Sequence, residues 1–394
     1  MGKSISLEID GQRVDQWTAA TVTRDLKDFC GSFDFTFRDR RRSGQALPYA
    51  SFGPLLKLKP GPAVVIRIGR LPILKGYIET VEPEIEDGRA SVRIAGRDVT
   101  GDLIDCAAML DAAEFRDVSF EEAAARIVRP YGIGVRTEVD TGDPFPRYAI
   151  DLAETAFSAI EKGARARQLL VVSDGVGGIV VTRTGKTRAP APIRQPGNVL
   201  AARGVFTHAA RHSQTVVRGQ AEGAASKRGA ARLDTTAEPI DAGSRSSGDG
   251  SATERERRGV TATGRATDDE ISRYRPIVHL ARSKADAKAA QTEADWRSRT
   301  ARAAAEEFTV TVRGHTVDGA VWTVNQLADC AIAYVDIDRE LLISRVAYSE
   351  DEQRGATTEI TLCSPEAFDA EPVGNRRKNR KAKTGALDGT AEAL

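Results

Sequence analysis

The chain has 394 residues, 41% hydrophobic and 29% charged, with 57 Lys and Arg against 56 Asp and Glu for a formal net charge of +1. That length fits about two to four packed domains, and the balanced charge lacks the basic excess of a typical nucleic-acid binder. No apolar run approaches the roughly 20 residues that cross a bilayer, and no cysteines share C-x-x-C spacing, which argues against a zinc ribbon or a dithiol redox site.

The N-terminus, MGKSISLEIDGQ, has no apolar core of a secretory signal. Its start fits a myristoylation pattern, but Ile5, Leu7 and Ile9 already alternate as a strand does. Cys30, Cys106, Cys330 and Cys363 are expected to be reduced thiols in a chain that folds in a cytoplasm. Phe33 to Arg38 alternates apolar and polar residues without a fault. Ala63 to Ile68 follows Pro60-Gly61-Pro62, Pro72 to Val81 is a further strand, and Val92 and Ile94 resume the alternation after Asp87-Gly88. Period two with regular turn signals predicts an antiparallel barrel or sandwich.

The pattern changes after Val99. Ser119-Phe120-Glu121-Glu122 is a capping box, in which the serine oxygen accepts from the N3 amide and Glu122 reaches back to Ser119. Phe120, Ala124, Ile127 and Val128 follow with helical spacing until Pro130. Ile133 to Val139 reads as extended and Thr155 to Arg167 as a second helix. Leu169 to Val172 and Ile179 to Thr182 flank the turn Asp174-Gly175-Val176-Gly177-Gly178. Val205 to Gln220 is extended again. Residues 221–266 are rich in Ala, Gly, Ser, Thr and charge, and predict a loop or disordered insertion. Ser283 to Glu307 is alanine-rich and helical, with Ser283 and Asp286 in cap positions and a weak apolar face. Strands return at Phe308 to Val312, Ala331 to Val335, Leu341 to Tyr348 and Thr358 to Leu362. The run Arg376 to Lys381 marks a basic, disordered tail.

The fold class is therefore mixed β and α+β, multidomain. Residues 1–98 form a first β-barrel domain and 99–195 a small α/β domain. Residues 196–220 with 306–364 form a second, discontinuous β-barrel domain; 221–305 are a flexible insertion and Ala-rich helix, and 365–394 the tail. The two β regions look alike. GSFDFTFRD parallels EEFTVTVRG, and the stretch from AVVIRIG to AGRD parallels the stretch from DCAIAYV to LCSP. Two similar barrels per chain let a trimer present a pseudo-six-fold ring.

No enzyme constellation emerges. GRDVTGDLIDC crowds Asp98, Asp102 and Asp105 together, but Val99 interrupts the D-[ST]-G of an aspartic protease and no second copy occurs. Carboxylates there also suit a helix start. His208 and His212 are four apart, without the Glu of H-E-x-x-H or an evident third ligand. Asp174 to Gly178 lacks the Lys-[Ser/Thr] of a P-loop, and no G-x-S-x-G is present. No catalytic, cofactor-binding or metal residue is assigned.

The chain resembles the baseplate hub proteins of Mu-like contractile-tailed phages, themselves similar to the T-even phage hub and the first part of type VI secretion spike proteins. The resemblance lies in GSFDFTF, PAVVIRIG…ILKGYIETVEP, AGRDVTGDLIDCAA, FSAIEKGARARQLLVVSDGVGGIVVTR, GNVLAARGVFTHAARHSQTVVRGQ, and the segment from VWTVNQ to CSPEAF. Arg97, Asp98, Asp102, Asp105, Trp322, Asn325, Asp336, Glu340 and Leu342 stand at its motif positions, where it implies structural roles. It implies a structural homotrimer in the virion, assembled in the host cytoplasm, joining the central spike protein to the tail tube protein and contacting baseplate wedge proteins. The ring lumen would be polar, to pass DNA or the tape-measure protein, without sequence-specific nucleic-acid binding. The competing readings are a tail-associated cell-wall hydrolase, which needs paired carboxylates or a zinc triad, and the N-terminal module of an injection spike, which continues into a long β-helix.

Overall fold

The computed structural model describes residues 3–38, 59–86, 89–220, 261–281 and 287–372. The Asp87-Gly88 turn, most of the 221–266 stretch, the caps at Ser283 and Asp286 and the Arg376 to Lys381 run lie outside these residues.

The first β region contains β1 (Ile5–Ile9), β2 (Gln12–Val14), β3 (Ala19–Asp25), β4 (Ser32–Arg38), β5 (Ala63–Ile68), β6 (Leu71–Glu86) and β7 (Arg89–Asp98). All pair antiparallel in the order β3-β4-β7-β6-β5-β1-β2. The alternation of β4 divides its two faces: Phe33, Phe35 and Phe37 are buried in the core, while Asp34 pairs with Arg93 on the other side.

The α/β domain follows, with α1 (Gly101–Asp105), β8 (Glu114–Val118), α2 (Phe120–Val128), β9 (Gly134–Thr137), β10 (Phe145–Ala149), α3 (Ala156–Arg167), β11 (Leu170–Ser173) and β12 (Gly178–Thr182). β8 pairs with β10, and the β11–β12 hairpin carries β9 parallel to β12. Ser119 Oγ accepts from the Glu122 amide at 3.2 Å as the capping box predicts. The reciprocal half is replaced: the Glu122 carboxylate pairs with Arg126 one turn on. Thr155 caps α3 in the same way, and the two helices bury Phe120, Ile127 and Ile160 with Tyr148 and Ile179.

The remaining strands are β13 (Thr187–Arg188), β14 (Ile193–Gln195), β15 (Val199–Phe206), β16 (Gln214–Gln220), β17 (Thr261–Thr267) and β18 (Pro276–Leu280), then, after α4 (Ala287–Ala303), β19 (Glu306–Arg313), β20 (Thr316–Val317), β21 (Ala320–Val321), β22 (Gln326–Ile332), β23 (Ile337–Asp351) and β24 (Gly355–Cys363). The second β region runs β15-β19-β24-β23-β22, with β13 and β14 parallel to β22.

β16 departs from the sequence expectation. Grouped with the second β region from sequence, it pairs instead with β17 and β18. Part of the expected insertion is thus a small sheet, covered by α4. The weak apolar face of α4 suffices because the packing is close: Ala290 and Ala294 meet Val217, Ala262 and Ala266. Gly264 makes this possible, since a Cβ there would lie 2.1 Å from the Ala290 carbonyl oxygen.

Five strands of the two β regions repeat one another in order. β3-β4-β7-β6-β5 has its counterpart in β15-β19-β24-β23-β22. Each long strand carries a bulge at the corresponding place, between Ile78 and Thr80 in β6 and between Ile343 and Arg345 in β23. Counted from the bulge through the neighbouring strands, Phe33 corresponds to Phe308. The two regions are nonetheless not separate bodies. The outer half of β23 pairs with β3 from Arg345↔Asp25 to Asp351↔Ala19, which makes one 14-stranded sheet over one core. Among the described residues the hydrogen-bonded path is open, from β15 to β2, and closes neither region into a ring. The physical reason is the length of β23: β22 covers only the first half of one edge and leaves the second half of that edge for β3, while β24 lies along the opposite edge.

Candidate functional site

Asp98 ends β7 and is buried. Its Oδ2 accepts from the Gly31 amide at 2.8 Å and from Ser173 Oγ at 2.8 Å. Its Oδ1 accepts from the Thr100 amide at 2.8 Å and from Thr100 Oγ1 at 2.5 Å. One carboxylate therefore ties the loop before β4, the start of α1 and the end of β11. Backbone bonds reinforce the joint: Val99 N to Lys75 O at 3.0 Å and Lys75 N to Gly175 O at 2.7 Å. A carboxylate fully engaged by neutral donors is a structural clamp, and its lone pairs are spent. Burial and the neighbouring Asp98 push the Cys30 thiol up to about 11, so it stays protonated.

The other acidic groups of GRDVTGDLIDC point elsewhere. Arg97 pairs with Asp105 and, through Nε, with Glu79 at 2.9 Å. The two carboxylates hold Arg97 above its usual range, and Arg97 holds the exposed Asp105 below the ordinary aspartate value. Asp102 lies exposed in the first turn of α1. Asp98, Asp102 and Asp105 thus do not converge.

The second group of motif residues builds a comparable joint at the other end of the α/β domain. Asn325 precedes β22 with φ +65° and is buried. Its Oδ1 accepts from the Gly185 amide at 2.8 Å, its Nδ2 donates to the Arg183 carbonyl at 2.9 Å, and its own amide donates to the Ile343 carbonyl at 2.9 Å. The segment leaving β12 is thereby fixed to the second β region. Trp322 is buried in the main core and its carbonyl accepts from the Tyr348 hydroxyl. Asp336, at φ +56°, closes the short helical turn Ala333–Val335. Glu340 pairs with Arg188 at the surface, and Leu342 is fully buried.

Sequence reasoning missed two polar nodes. Arg211 is buried and donates to both Asp268 oxygens at 2.9 and 2.8 Å, with Glu270 at 2.6 Å. It sits between His208 and His212, in a loop rather than on a helix, so the spacing of those histidines does not bring them to one face. Glu350, buried near the end of β23, accepts from the Ser4 and Ile5 amides at 3.0 and 2.9 Å and so anchors β1. Its signal in sequence was faint: a charged residue in the alternation that places Val346 and Tyr348 inward. Among the described residues no group of three or more His, Cys, Asp or Glu could hold a metal ion, and no helix is long and apolar enough to cross a membrane.

Comparison with known proteins matches this architecture along its length. A family model for the N-terminal part of Mu phage baseplate assembly protein GpP-like proteins matches residues 4–98. The second domain of gp44-like baseplate hub proteins matches 100–183, and the fourth domain of Mu GpP matches 286–371. The baseplate hub protein gp44 of Escherichia phage Mu is 30% identical over 399 aligned residues, covering 100% of this chain and 96% of that protein. The 43 kDa tail protein of prophage MuSo2 from Shewanella oneidensis superposes with a TM-score of 0.73 at 26% identity, over 92% of this chain and 99% of that one. A tail protein from Neisseria meningitidis MC58 shares the fold at 18% identity and a TM-score of 0.69, over 94% and 100% of the two chains. With that identity sustained over the full length, the chain belongs to the Mu-type phage baseplate hub family.

Proposed function

We propose that the protein acts as a homotrimeric structural hub in the baseplate of a contractile phage tail or phage-tail-like particle. Its two β regions per chain would close as barrels around one axis and give a pseudo-six-fold ring between a three-fold spike and a six-fold tail tube. The observation that carries this reading is the five-strand repeat within one continuous sheet. A chain that already joins two equivalent units edge to edge is suited to extending the same arrangement around a closed ring. Spike, tube and wedge proteins are the implied neighbours, and the tape-measure protein or DNA would pass through the lumen.

The role is structural rather than enzymatic. The aspartates crowded in GRDVTGDLIDC are spent on clamping domains, through Asp98, and on surface ion pairs, through Asp105. The reading is tested by light scattering coupled to size exclusion. The expected mass is three times the 42.4 kDa chain, unchanged on dilution; a stable monomer would overturn the ring.

A further inference from the structure

The internal junction between the two β regions supplies a template for the junction between chains. Inside one chain, the outer half of β23 pairs with β3. The bulge-matched counterpart of that half-strand is Thr80–Glu86 of β6, and the counterpart of β3 is β15. Among the described residues both counterparts lack a strand on the corresponding edge. β5 pairs with β6 only as far as Tyr77, and β15 ends the sheet beyond β19.

Burial follows the same division. At the occupied junction Val346 and Tyr348 are 0 and 1% exposed. At the free edges Ile85 is 50% exposed and Phe206 59%, with Val205 and Leu200 also open to solvent. Large apolar side chains left exposed along a sheet edge are a liability unless a partner covers them.

We infer that β15 of one chain adds antiparallel to the outer half of β6 of the next, in the register copied from β3 and β23, and that this seam closes the ring. The inference rests on the trimeric hub reading and goes beyond it by fixing edge, direction and register. Carrying the β23–β3 pairs across by the two bulges and by the β3–β4 and β15–β19 registers places Glu84 opposite Arg203, Val81 opposite Phe206, and Ile85 opposite Ala202. The transferred register was set by backbone alone, yet it sets apolar against apolar on the face of Val81 and Ile85 and opposes Glu84 with Arg203 on the other, where Glu82 falls opposite Val205. Glu84 and Arg203 occupy the places of Ser349 and Thr21, whose hydroxyls lie 3.4 Å apart at the occupied junction. Pro83 stands where β23 has Tyr348. Lacking an N–H, it removes at most one bond from the seam and discourages pairing with arbitrary strands.

The test is a disulfide scan on the full chain, in a Cys106→Ser background that removes the exposed native thiol. Directly opposed antiparallel residues have Cα atoms about 4.5–5.5 Å apart, within reach of a disulfide. Glu84→Cys with Arg203→Cys in one chain is expected to give covalent trimers on mild oxidation, read on a non-reducing gel with the linked peptide identified by mass spectrometry. Ile85→Cys with Arg203→Cys, one residue out of register, is expected to give none. Glu84→Arg should cause loss of trimer mass on dilution, and adding Arg203→Glu should restore it. A trimeric mass with no 84–203 link, or with equal linking out of register, would overturn the seam and leave the hub standing. A monomeric parent protein would overturn both.

Discussion

Asp98→Ala tests whether the crowded aspartates serve architecture. The substitution withdraws the acceptor from two amides and two hydroxyls. The Thr100 and Ser173 hydroxyls can rotate toward other acceptors, but the Gly31 and Thr100 amides are fixed by backbone. A buried donor left unpaired costs about 1–3 kcal/mol, so the expected loss is roughly 2–6 kcal/mol. Asp98→Asn keeps one carbonyl oxygen for Thr100 and turns an NH2 toward Ser173 and Gly31. The serine can accept instead of donating; the Gly31 amide cannot, so the loss falls to about 1–3 kcal/mol. Denaturant unfolding measures the loss, and hydrogen exchange at Gly31 and Thr100 locates it. If Asp98→Ala cost less than about 1 kcal/mol and left Gly31 protection unchanged, the clamp would be refuted.

Two further outcomes follow from the packing and the buried histidine. Gly264→Val should detach α4 from its sheet, because even a Cβ meets the Ala290 carbonyl at 2.1 Å; loss of helical signal near 222 nm with the main sheet intact is the expected readout. His315 is buried against Thr358, and burial holds its imidazole below the usual value. A depressed folded pKa means that stability is complete above the unfolded value near 6.5 and is lost as pH falls from there toward the folded value. The melting temperature should therefore drop between about pH 7 and pH 5, and His315→Asn should flatten that part of the profile relative to the parent.

What the sequence disclosed was local. The alternation of Phe33, Phe35 and Phe37 fixed a face of β4, and Ser119 and Thr155 marked helix starts through bonds spanning only three residues. The repeat was also legible, because both copies carry the same spacing around a bulge. What stayed hidden was the choice of partner. Asp98 reaches Gly31 and Ser173, 67 and 75 residues away, and Glu350 reaches Ser4 across 346. Nothing in the spacing of β16 distinguishes the sheet it joins from the one it does not. The same limit explains why two separate barrels were expected where the β23–β3 pairing merges both regions into one sheet.

The repeat also explains why an asparagine stands at position 325. The corresponding position in the first β region is Gly61, with φ +119° and an amide donating to Ile78 O at 2.7 Å, as the Asn325 amide donates to Ile343 O at 2.9 Å. Both copies need a left-handed residue before the strand, which glycine satisfies at no steric cost and asparagine tolerates. Only the second copy has the α/β domain's exit beside it, and only there does a side chain reach out, to Gly185 N and Arg183 O. Asn325→Gly should therefore keep the strand entry and lose the clamp alone, at about 0.5–1.5 kcal/mol for each bond. Asn325→Ala loses the clamp and adds about 1–2 kcal/mol of left-handed strain. Denaturant midpoints should rank the parent above Asn325→Gly, and that above Asn325→Ala. If Asn325→Gly matched the parent, the amide would be holding nothing, and the α/β domain would be fastened by its other contacts, Asp98 and the Arg24 bond to the Ser173 carbonyl among them.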